Sequence, residues 1–327
     1  MSETAEPAAP GVGSGLPARA AAPLTAGRRH AVRLLGFAGA ILGLLLLLMM
    51  TPALVSLLNE KPLSDVRAYY DAAARLNAGL PLYPPGADVN TSEFYRYPPL
   101  LAILFRPLAL LPYTVVSVIW EVVALGALVA TLLVAGVRRR ATWNWVGILA
   151  FPITWSALLG QAQLPVTLLL ALATPLSVAM AGQLKLIPAL AALWWLGRRD
   201  WRSLGRFAAW SAALVALQVV LEPRDTLDYL RIANLSQVGD IVNLSPYGIS
   251  PVLWAALAAA GAALVIATAR RPAGWFVAVA YSTLVSPRLI AYLLVALLGG
   301  LGRPATSRTG PDVPDSASRG DQAAGPA

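Results

Sequence analysis

The sequence predicts an all-α, polytopic membrane protein with about eight spans, and three observations support that prediction. Hydrophobic residues make up 57% of the 327 residues, and the mean hydropathy is +0.65. Only 13% of the residues are charged, against about 25% in a soluble domain. Residues 34–58 carry no charge, and such a run can cross a hydrocarbon core of about 30 Å. Further uncharged runs follow at 122–137, 141–184, 186–197, 207–221, 241–269, 272–287 and 289–302.

The composition also excludes several classes of function. The chain contains no cysteine, so disulfides, thiolate catalysis and Cys-ligated metals are excluded. Its single histidine, His30, lies in a basic segment before the first span, which argues against a histidine base or a His-rich metal site. The net charge of +9 comes from short basic clusters between apolar runs, which are typical of cytoplasmic loops. We therefore expect no nucleic acid as partner and no cofactor. A divalent ion at a phosphate stays open, although no carboxylate cluster demands one.

Both ends of the chain differ in composition from the middle. Residues 1–30 and 303–327 are rich in Ala, Pro, Gly and Ser, and they bury too little apolar surface to offset their ordering entropy. We expect both to be disordered cytoplasmic tails. Residues 31–302 are expected to form a single transmembrane domain, with outer loops at 59–112 and 222–250.

Lysine and arginine clusters predict the orientation of the spans. The basic segment 28–33 places the N-terminus in the cytoplasm, and the cluster 138–140 lies there too if the segment 98–112 does not cross. Because that segment is short and bounded by prolines, we expect a re-entrant or interfacial helix. After the first span, spans are then predicted at 113–136, 143–160, 164–184, 207–221, 251–269, 273–286 and 289–302, with both termini cytoplasmic.

Residues 161–197 must cross the membrane an odd number of times in this arrangement. Pro165, Pro175 and Pro188 predict broken helices there. The stretch 186–197 fits either a re-entrant half helix or the continuation of a broken span. Lys185, just before it, could therefore lie near either face of the membrane.

Polar residues concentrate in the two outer loops rather than in the spans. Transporters usually keep their functional polar groups near the bilayer midplane, on broken helices. Here the one acid within an apolar span is Glu121. This distribution favours chemistry at the outer surface of the membrane.

Asp65 follows closely on the first span and precedes a predicted helix, "VRAYYDAAARLNAG", that ends at Gly79, a typical residue after a helix C-terminus. One interpretation is that Asp65 only caps this helix, a common role for aspartate. The other is a carboxylate at the lipid–water boundary. Its pKa is expected to be raised there, and it could accept a proton from a sugar hydroxyl as a general base.

Three cations stand out by their surroundings. Arg96, in "FYRYPPL", either snorkels in an interfacial aromatic belt or is presented by a rigid elbow to an anionic head group. Lys185 stands alone in the apolar "QLKLIP" and is a functional candidate by default, paired with a phosphate or with Glu121. Arg288, in "LVSPRLIAYLL", is either an interfacial anchor or a bidentate phosphate ligand.

The remaining polar candidates carry weaker signals. Gln161 and Gln163, in "LLGQAQLP", form either a polar turn between helices or an amide pair that recognises sugar hydroxyls. Arg67 and Arg106 have the same alternatives as Arg96, and Arg67 fits a solvated helix face better. Together the candidates place one carboxylate and several cations at one membrane interface. That arrangement suits chemistry on a lipid-linked phosphate whose tail stays in the bilayer.

The order of these motifs resembles glycosyltransferase family 87, whose members are GT-C type, polyprenyl-phosphate-mannose-dependent mannosyltransferases common in actinobacteria. The resemblance covers about residues 34–302, and the three motifs of the first outer loop are its most specific part. The matching motifs are D-x-x-x-Y at Asp65–Tyr69, G-x-P-L-Y at Gly79–Tyr83, Y-R-Y-P-P-L at Tyr95–Leu100, G-Q at Gly160–Gln161, K-x-x-P at Lys185–Pro188 and S-P-R at Ser286–Arg288.

The resemblance implies a GT-C-like fold in the plasma membrane, with the active site on the outer face. The implied donor is a polyprenyl-phosphate sugar, with mannose as the sugar, and the implied acceptor is an envelope glycolipid or polysaccharide. Asp65 is the implied catalytic base for an in-line, inverting attack by the acceptor hydroxyl, while cations stabilise the charge on the leaving phosphate. The residues implied to bind the donor phosphate or the substrate are Arg96, Lys185, Arg288, Tyr69, Tyr97 and Gln161.

Three features depart from the family pattern. The chain is short for the family, residues 161–185 look compressed, and Gln163 replaces the usual Asn after G-Q. These departures leave open a different substrate pocket or an inactive scaffold. Another GT-C sugar such as arabinofuranose also stays open, and a polytopic lipid or solute transporter is the alternative from a different class.

Overall fold

The computed structural model describes residues 26–87, 94–232 and 243–302, and these contain helices and connecting segments but no strand. The all-α prediction is therefore confirmed for the described residues. In chain order, the α-helices are α1 (Ala26–Glu60), α2 (Ser64–Asn77), α3 (Pro99–Phe105), α4 (Tyr113–Ala135), α5 (Arg140–Ile148), α6 (Ala150–Leu158), α7 (Gln163–Leu172), α8 (Pro175–Leu184), α9 (Leu193–Arg198), α10 (Trp201–Leu221), α11 (Pro223–Ile232), α12 (Pro251–Thr268) and α13 (Gly274–Leu284). The 3₁₀ helices of the same residues are Leu108–Leu110, Ile187–Ala192, Pro246–Gly248 and Ala291–Leu301.

Four long apolar helices of the described residues are typical of a membrane protein. By length and composition, α4, α10, α12 and the stretch His30–Asn77, which runs from α1 into α2, could cross a bilayer. The uncharged run 34–58 lies within α1, whereas α2 carries charged side chains. The other predicted spans correspond to shorter or broken helices among the described residues. The predicted number of spans is therefore not established.

The first helix begins earlier than the composition predicts. α1 starts at Ala26, inside the segment 1–30 that we expect to be a disordered tail. Its first residues include alanine and arginine, which have high helix propensity. The rest of the two predicted tails lies outside the described residues.

The prediction that 164–184 crosses the membrane as one span is wrong. α7 ends at Ala173, which adopts a left-handed conformation with φ of 53°. α8 then starts afresh at Thr174, whose hydroxyl accepts from the Ser177 backbone in a reciprocal capping box, with Pro175 at the first helical position. The break predicted at Pro175 is thus confirmed. Pro165, by contrast, is tolerated in the first turn of α7.

α7 and α8 fold back on each other as a helical hairpin. The Lys185 amine, just after α8, lies 3.0 Å from the amide oxygen of Gln163, the first residue of α7. Each helix has ten residues and is about 15 Å long, so a continuing path would separate these residues by far more. The start of α7 and the end of α8 therefore lie next to each other.

The predicted first outer loop contains the short helices that its prolines predict. α3 has seven residues, begins at Pro99 and is followed by the 3₁₀ helix Leu108–Leu110. It packs on α2, where the rings of Phe105 and Tyr69 meet edge to face with centroids 5.5 Å apart. A seven-residue helix is too short to cross a bilayer, which agrees with the expected re-entrant or interfacial helix.

The second outer loop, 222–250, also contains a helix. α11 continues directly from α10, and Asp225 on it accepts a hydrogen bond of 2.7 Å from the Leu82 backbone in the first loop. This contact ties the two outer loops together. Residues 88–93 and 233–242 of these loops lie outside the described residues.

Candidate active site

A cavity of about 520 Å³ lies where described segments of the two predicted outer loops meet the ends of the short helices. Its walls come from the start of α2, the segment before α3, the turn between α6 and α7, the end of α8 and the segment between α13 and the last 3₁₀ helix. The predicted site residues that line it are Asp65, Arg96, Tyr97, Gln161, Lys185 and Arg288. Tyr69 is the predicted site residue that does not line it.

Asp65 is held at this cavity by the backbone rather than by its own side chain. Leu63 precedes α2 in a left-handed conformation and makes no side-chain cap. The amides of Leu63 and Asp65 donate to the carbonyls of Leu158 and Leu159, at 3.1 and 3.2 Å. The end of α6 therefore satisfies the start of α2, and the interpretation of Asp65 as a capping residue is wrong. Its carboxylate is left to face the cavity.

Gly160 allows α2 and the turn after α6 to approach so closely. Its φ is +66°, and a Cβ at this position would overlap Cγ2 of Val66 on α2. Its carbonyl accepts a 2.7 Å hydrogen bond from the Trp120 indole on α4. The glycine of the G-Q motif thus allows the turn after α6 to pack against α2, and this places Gln161 next to Asp65.

Gln161 and Gln163 hold the amine of Lys185. Lys185 Nζ donates to the amide oxygens of Gln161 and Gln163, at 3.1 and 3.0 Å. It also lies over the rings of Tyr97 and Tyr292, 5.4 and 5.1 Å from their centroids, an attractive arrangement for a cation. The interpretation of the glutamines as a polar turn is confirmed in part, since they lie in the turn that opens α7.

One interpretation of the sequence pairs Lys185 with Glu121, and the structure does not show this pair. Glu121 lies on α4, and its Oε2 is buried without a hydrogen-bond partner among the described residues. It does not line the cavity. The amine of Lys185 instead belongs to the cavity that holds Asp65.

Two tyrosines of the motifs form a layered pair beside Asp65. The Tyr97 hydroxyl lies 3.4 Å from Asp65 Oδ1 and 3.1 Å from Gln161 Oε1. Tyr69 lies behind it, fully buried, with its hydroxyl 3.2 Å from that of Tyr97. Tyr69 therefore cannot touch a substrate as the resemblance implies, whereas Tyr97 can.

Asn243 holds the backbone on both sides of Arg288. The Asn243 side chain donates to the Pro287 carbonyl at 2.8 Å and accepts from the Leu289 amide at 2.9 Å. One guanidinium nitrogen of Arg288, Nη2, is buried without a hydrogen-bond partner among the described residues. Because buried donors are almost always paired in native structures, this nitrogen is suited to an anion in the cavity.

The charges of the cavity perturb one another. Burial raises the pKa of Asp65 to about 6, against the opposing effects of the Lys185 charge, the Gln161 hydrogen bond, the Arg96 charge and the Tyr97 hydrogen bond. Burial lowers the pKa of Lys185 to about 7, opposed by the charge of Asp65. Burial and the nearby Arg288 lower the pKa of Arg96. An excess of buried positive charge favours an anionic ligand.

Arg67 and Arg106 are placed elsewhere. Arg67 pairs with Asp71 at 3.0 Å on the exposed face of α2, which confirms its assignment to a solvated helix face. Arg106 pairs with Glu222 at 2.7 Å. Neither arginine lines the cavity. The residues described also contain no cluster of acids or histidine able to hold a metal ion.

Sequence reasoning missed two contributors to the site. Tyr292 lines the cavity, with its ring facing the amine of Lys185. It is the one polar side chain in the apolar run 289–302, and this pattern could have identified it as a candidate. Asn243 carried no signal at all, because its role depends on a partner segment more than forty residues away.

Comparison with known proteins agrees with the motifs. The model of glycosyltransferase family 87 matches residues 94–304, which include Arg96, Gln161, Lys185 and Arg288 but not Asp65. A polyprenol-phosphate-mannose-dependent alpha-(1-2)-phosphatidylinositol pentamannoside mannosyltransferase of Mycolicibacterium smegmatis is 30% identical over 205 residues, covering 57% of this chain and 49% of that protein. The protein of the same name from Mycobacterium tuberculosis is 29% identical over 156 residues, covering 41% and 36%.

The chain thus spans about half the length of the first of these relatives and less of the second. No solved structure gives a significant match. The family match, however, covers more than half of the chain and contains most of the cavity's polar residues. On these grounds the chain belongs to glycosyltransferase family 87.

Proposed function

We propose that the chain transfers a mannosyl group from a polyprenyl-phosphate donor to a hydroxyl of an envelope glycolipid or polysaccharide. The observation that carries this proposal is the single cavity in which one partly buried carboxylate, Asp65, faces Lys185, Arg96 and Arg288. The activity for which the two mycobacterial relatives are named supports the donor, and it favours a mannosylated phosphatidylinositol as the acceptor.

The proposed reaction is a single displacement. Asp65 accepts the proton of the acceptor hydroxyl as that oxygen forms a bond to the anomeric carbon. The bond between the anomeric carbon and the phosphate oxygen breaks, so the configuration inverts and polyprenyl phosphate leaves. Lys185, Arg96 and Arg288 stabilise the charge that develops on this phosphate. This assignment needs no step other than proton transfer and charge stabilisation by the chain's own residues.

The rest of the cavity wall suits the lipid part of the donor. Apolar side chains continue from the charged cluster along the cavity. Leu57, on this wall, belongs to α1, so the cavity borders the first apolar helix. A polyprenyl chain that stays in the bilayer could therefore reach the cations with only its phosphate and sugar leaving the lipid. The apolar lining residues include Leu57, Leu159, Leu170, Leu186, Ile187 and Leu293.

We further propose that this cavity opens at the outer face of the plasma membrane and that both termini are cytoplasmic. The basic cluster 198–206 supports a cytoplasmic position for the start of α10. Since α7 and α8 return to the cavity, the passage from Lys185 to this cluster belongs to residues 187–198. As helices, Ile187–Ala192 and Leu193–Arg198 extend about 21 Å, so we propose that they lead from a cavity set partly within the membrane to the cytoplasmic face.

Transfer by the purified protein tests the proposal. We expect the full chain in lipid nanodiscs to move label from radiolabelled polyprenyl-phosphate mannose into a phosphatidylinositol mannoside. Asp65→Asn should reduce transfer about 10²- to 10⁴-fold, because the amide cannot accept the proton, while donor binding persists.

Asp71→Asn is the matched control, since Asp71 lies on the same helix but on its exposed face, and it should transfer normally. Near-normal transfer by Asp65→Asn would show that Asp65 is not the base. Transfer of arabinofuranose but not mannose from the corresponding donors would change the sugar, and no transfer from either would reject the enzyme.

A further inference from the structure

Tyr69 is the most deeply buried polar group near the base, and its packing does not explain its hydroxyl. The side chain is 0% exposed and touches no part of the cavity. Its ring packs edge to face on Tyr97, Phe105 and Trp120, at 5.3, 5.5 and 5.7 Å. A phenylalanine would fill the same space, so the hydroxyl serves another purpose.

The hydrogen bonds of the two tyrosines have a defined direction. The backbone N–H of Ala162 can only donate, and it donates to the Tyr69 oxygen at 3.2 Å. The Tyr69 proton then finds its acceptor in the Tyr97 oxygen, 3.2 Å away. The reverse direction would leave the Tyr69 proton unpaired in a fully buried site, which is costly.

The end of this chain of hydrogen bonds is the carboxylate. Because Tyr97 accepts from Tyr69, its own proton points forward, to Asp65 Oδ1 at 3.4 Å or Gln161 Oε1 at 3.1 Å. Gln161 Oε1 already accepts from Lys185. Gln161 Oε1 is the nearer acceptor, but an ionised carboxylate is the stronger one, so ionised Asp65 competes with Gln161 for the Tyr97 proton.

We propose that Tyr69 is a positioning residue for the base: its hydroxyl directs the Tyr97 proton toward Asp65, which favours and orients the ionised carboxylate. The inference rests on the proposed role of Asp65 as general base. It assigns Tyr69 a function that is not contact with the substrate, and it makes Tyr97 the link between the two.

The phenols remain donors throughout the relevant pH range. Burial, followed by the charge of Asp65, raises the pKa of Tyr69 well above its ordinary value, and burial does the same for Tyr97. The other charged or titratable groups that face Asp65 are Lys185 at the end of α8, Arg96 before α3 and Tyr292 on the last 3₁₀ helix. Arg288 and Lys61 line the same cavity. Tyr69→Phe changes none of these groups chemically, but it leaves the Ala162 N–H without its acceptor, so Tyr97→Phe is measured beside it.

Tyr69→Phe tests the proposal by its effect on the titration of Asp65. Infrared difference spectra of the full chain, recorded against pH, follow the carboxylic acid band that is absent from Asp65→Asn. We expect the midpoint of this band to move to higher pH by about 0.5 to 1 in Tyr69→Phe, given the usual strength of a neutral hydrogen bond. The acid limb of the transfer rate should move by the same amount.

Tyr70→Phe is the matched control. Tyr70 is the next residue of α2, and its hydroxyl donates to the Leu111 carbonyl, away from the cavity, so its removal should leave the midpoint unchanged. Tyr97→Phe should raise the midpoint at least as much as Tyr69→Phe. The double variant should match Tyr97→Phe alone, because the two hydroxyls act in series.

An unchanged midpoint in Tyr69→Phe, or additive shifts in the double variant, would overturn the inference. An unchanged midpoint in Tyr97→Phe would overturn it as well, even if Tyr69→Phe did not fold. Because the infrared titration requires no turnover, loss of the proposed transferase activity would not be confused with failure of this inference. If the shift appears but no transfer is found, the hydrogen-bond chain stands and the function is wrong.

Discussion

The guanidinium groups of Arg96 and Arg288 lie on the wall of one cavity. Burial lowers the pKa of Arg96, and the nearby charge of Arg288 lowers it further. Like charges that are partly removed from water repel each other unless an anion lies between them. Arg288 adds a buried nitrogen without a partner among the described residues. At the scale of single residues, these groups form the clearest anion site of the described chain.

Removing the Arg288 guanidinium should therefore weaken donor binding. We expect Arg288→Ala to raise the donor Kd about 10- to 100-fold, the usual range for a charge-assisted hydrogen bond, with little change in thermal stability. Binding of polyprenyl-phosphate mannose in nanodiscs measures this. Arg231→Ala is the control, since Arg231 is highly exposed and pairs with Asp228 on α11. An unchanged Kd in Arg288→Ala would count against a phosphate ligand.

The pKa values of Asp65 and Lys185 predict the dependence of activity on pH. The base must be ionised, so kcat/KM should fall as pH drops through about 6, where Asp65 takes up a proton. The phosphate is stabilised by a charged amine, so kcat/KM should also fall as pH rises through about 7, where Lys185 loses its proton. The two limbs belong to the interacting pair. A narrow bell-shaped profile is the expected result.

Lys185→Arg separates the two limbs. A guanidinium stays charged across this range, so the alkaline limb should disappear while the acid limb stays near its place. A variant that keeps the alkaline limb would show that another group is responsible for it.

At the scale of the elements, the site depends on how the start of α2 meets the turn after α6. Backbone donors of Leu63 and Asp65 use the free carbonyls of Leu158 and Leu159, so each element completes the hydrogen bonds of the other. This mutual capping, together with the absence of a side chain at Gly160, brings Asp65 and Gln161 into one cavity.

Gly160→Ala should destabilise the contact between α2 and the turn after α6 by more than the cost of its left-handed backbone conformation. A left-handed non-glycine residue costs about 1–2 kcal/mol, and the new Cβ would also overlap Val66. Gly79→Ala provides the control, because Gly79 has a similar φ of +68° and open space around its Cβ position. We expect Gly160→Ala to lower the thermal midpoint more than Gly79→Ala and to reduce transfer.

A second change should restore part of the loss. Val66→Ala removes the methyl group that the new Cβ meets, so the double variant should recover stability relative to Gly160→Ala, beyond what two independent changes would give. Equal effects of Gly160→Ala and Gly79→Ala would mean that the contact with Val66 is not limiting.

At the scale of the whole molecule, the α7–α8 hairpin decides which segments can cross the membrane. The turn at Ala173 and Thr174 lies about 15 Å along α7 from Gln163, beside the polar end of the cavity, and this is roughly half the thickness of a hydrocarbon core. Leu172 and Leu176, on either side of the turn, are 44% and 38% exposed. Exposed leucines at that depth are suited to lipid, so the hairpin is expected to enter the membrane and return.

Single-cysteine labelling tests this topology, and the chain offers a clean background because it contains no cysteine. We expect Thr174→Cys to resist a membrane-impermeant maleimide added to either side of intact cells or inverted vesicles. Arg67→Cys should be labelled from the outside and Arg270→Cys from the cytoplasm. Labelling of Thr174→Cys from the cytoplasm would restore a complete crossing by 164–184.

Local patterns in the sequence predicted the all-α class, the family and most of the residues of the candidate site. Hydropathy predicted long apolar helices because the need to satisfy every backbone group in lipid leaves helices as the simplest solution. The prolines predicted the short helix before Arg106 and the break at Pro175, since proline restricts its own φ and lacks an amide donor. The spacing of the motifs identified Asp65, Arg96, Lys185 and Arg288.

Only the tertiary structure decided how these residues are used, because their partners lie far away along the chain. It showed that the backbone of α6 caps α2, which frees the Asp65 carboxylate, and that the α7–α8 hairpin brings Lys185 back to Gln163. It also placed Tyr69 behind Tyr97 rather than in the cavity. Sequence patterns report local preference and burial, whereas a side chain's role is determined by contacts that form only when distant segments pack together.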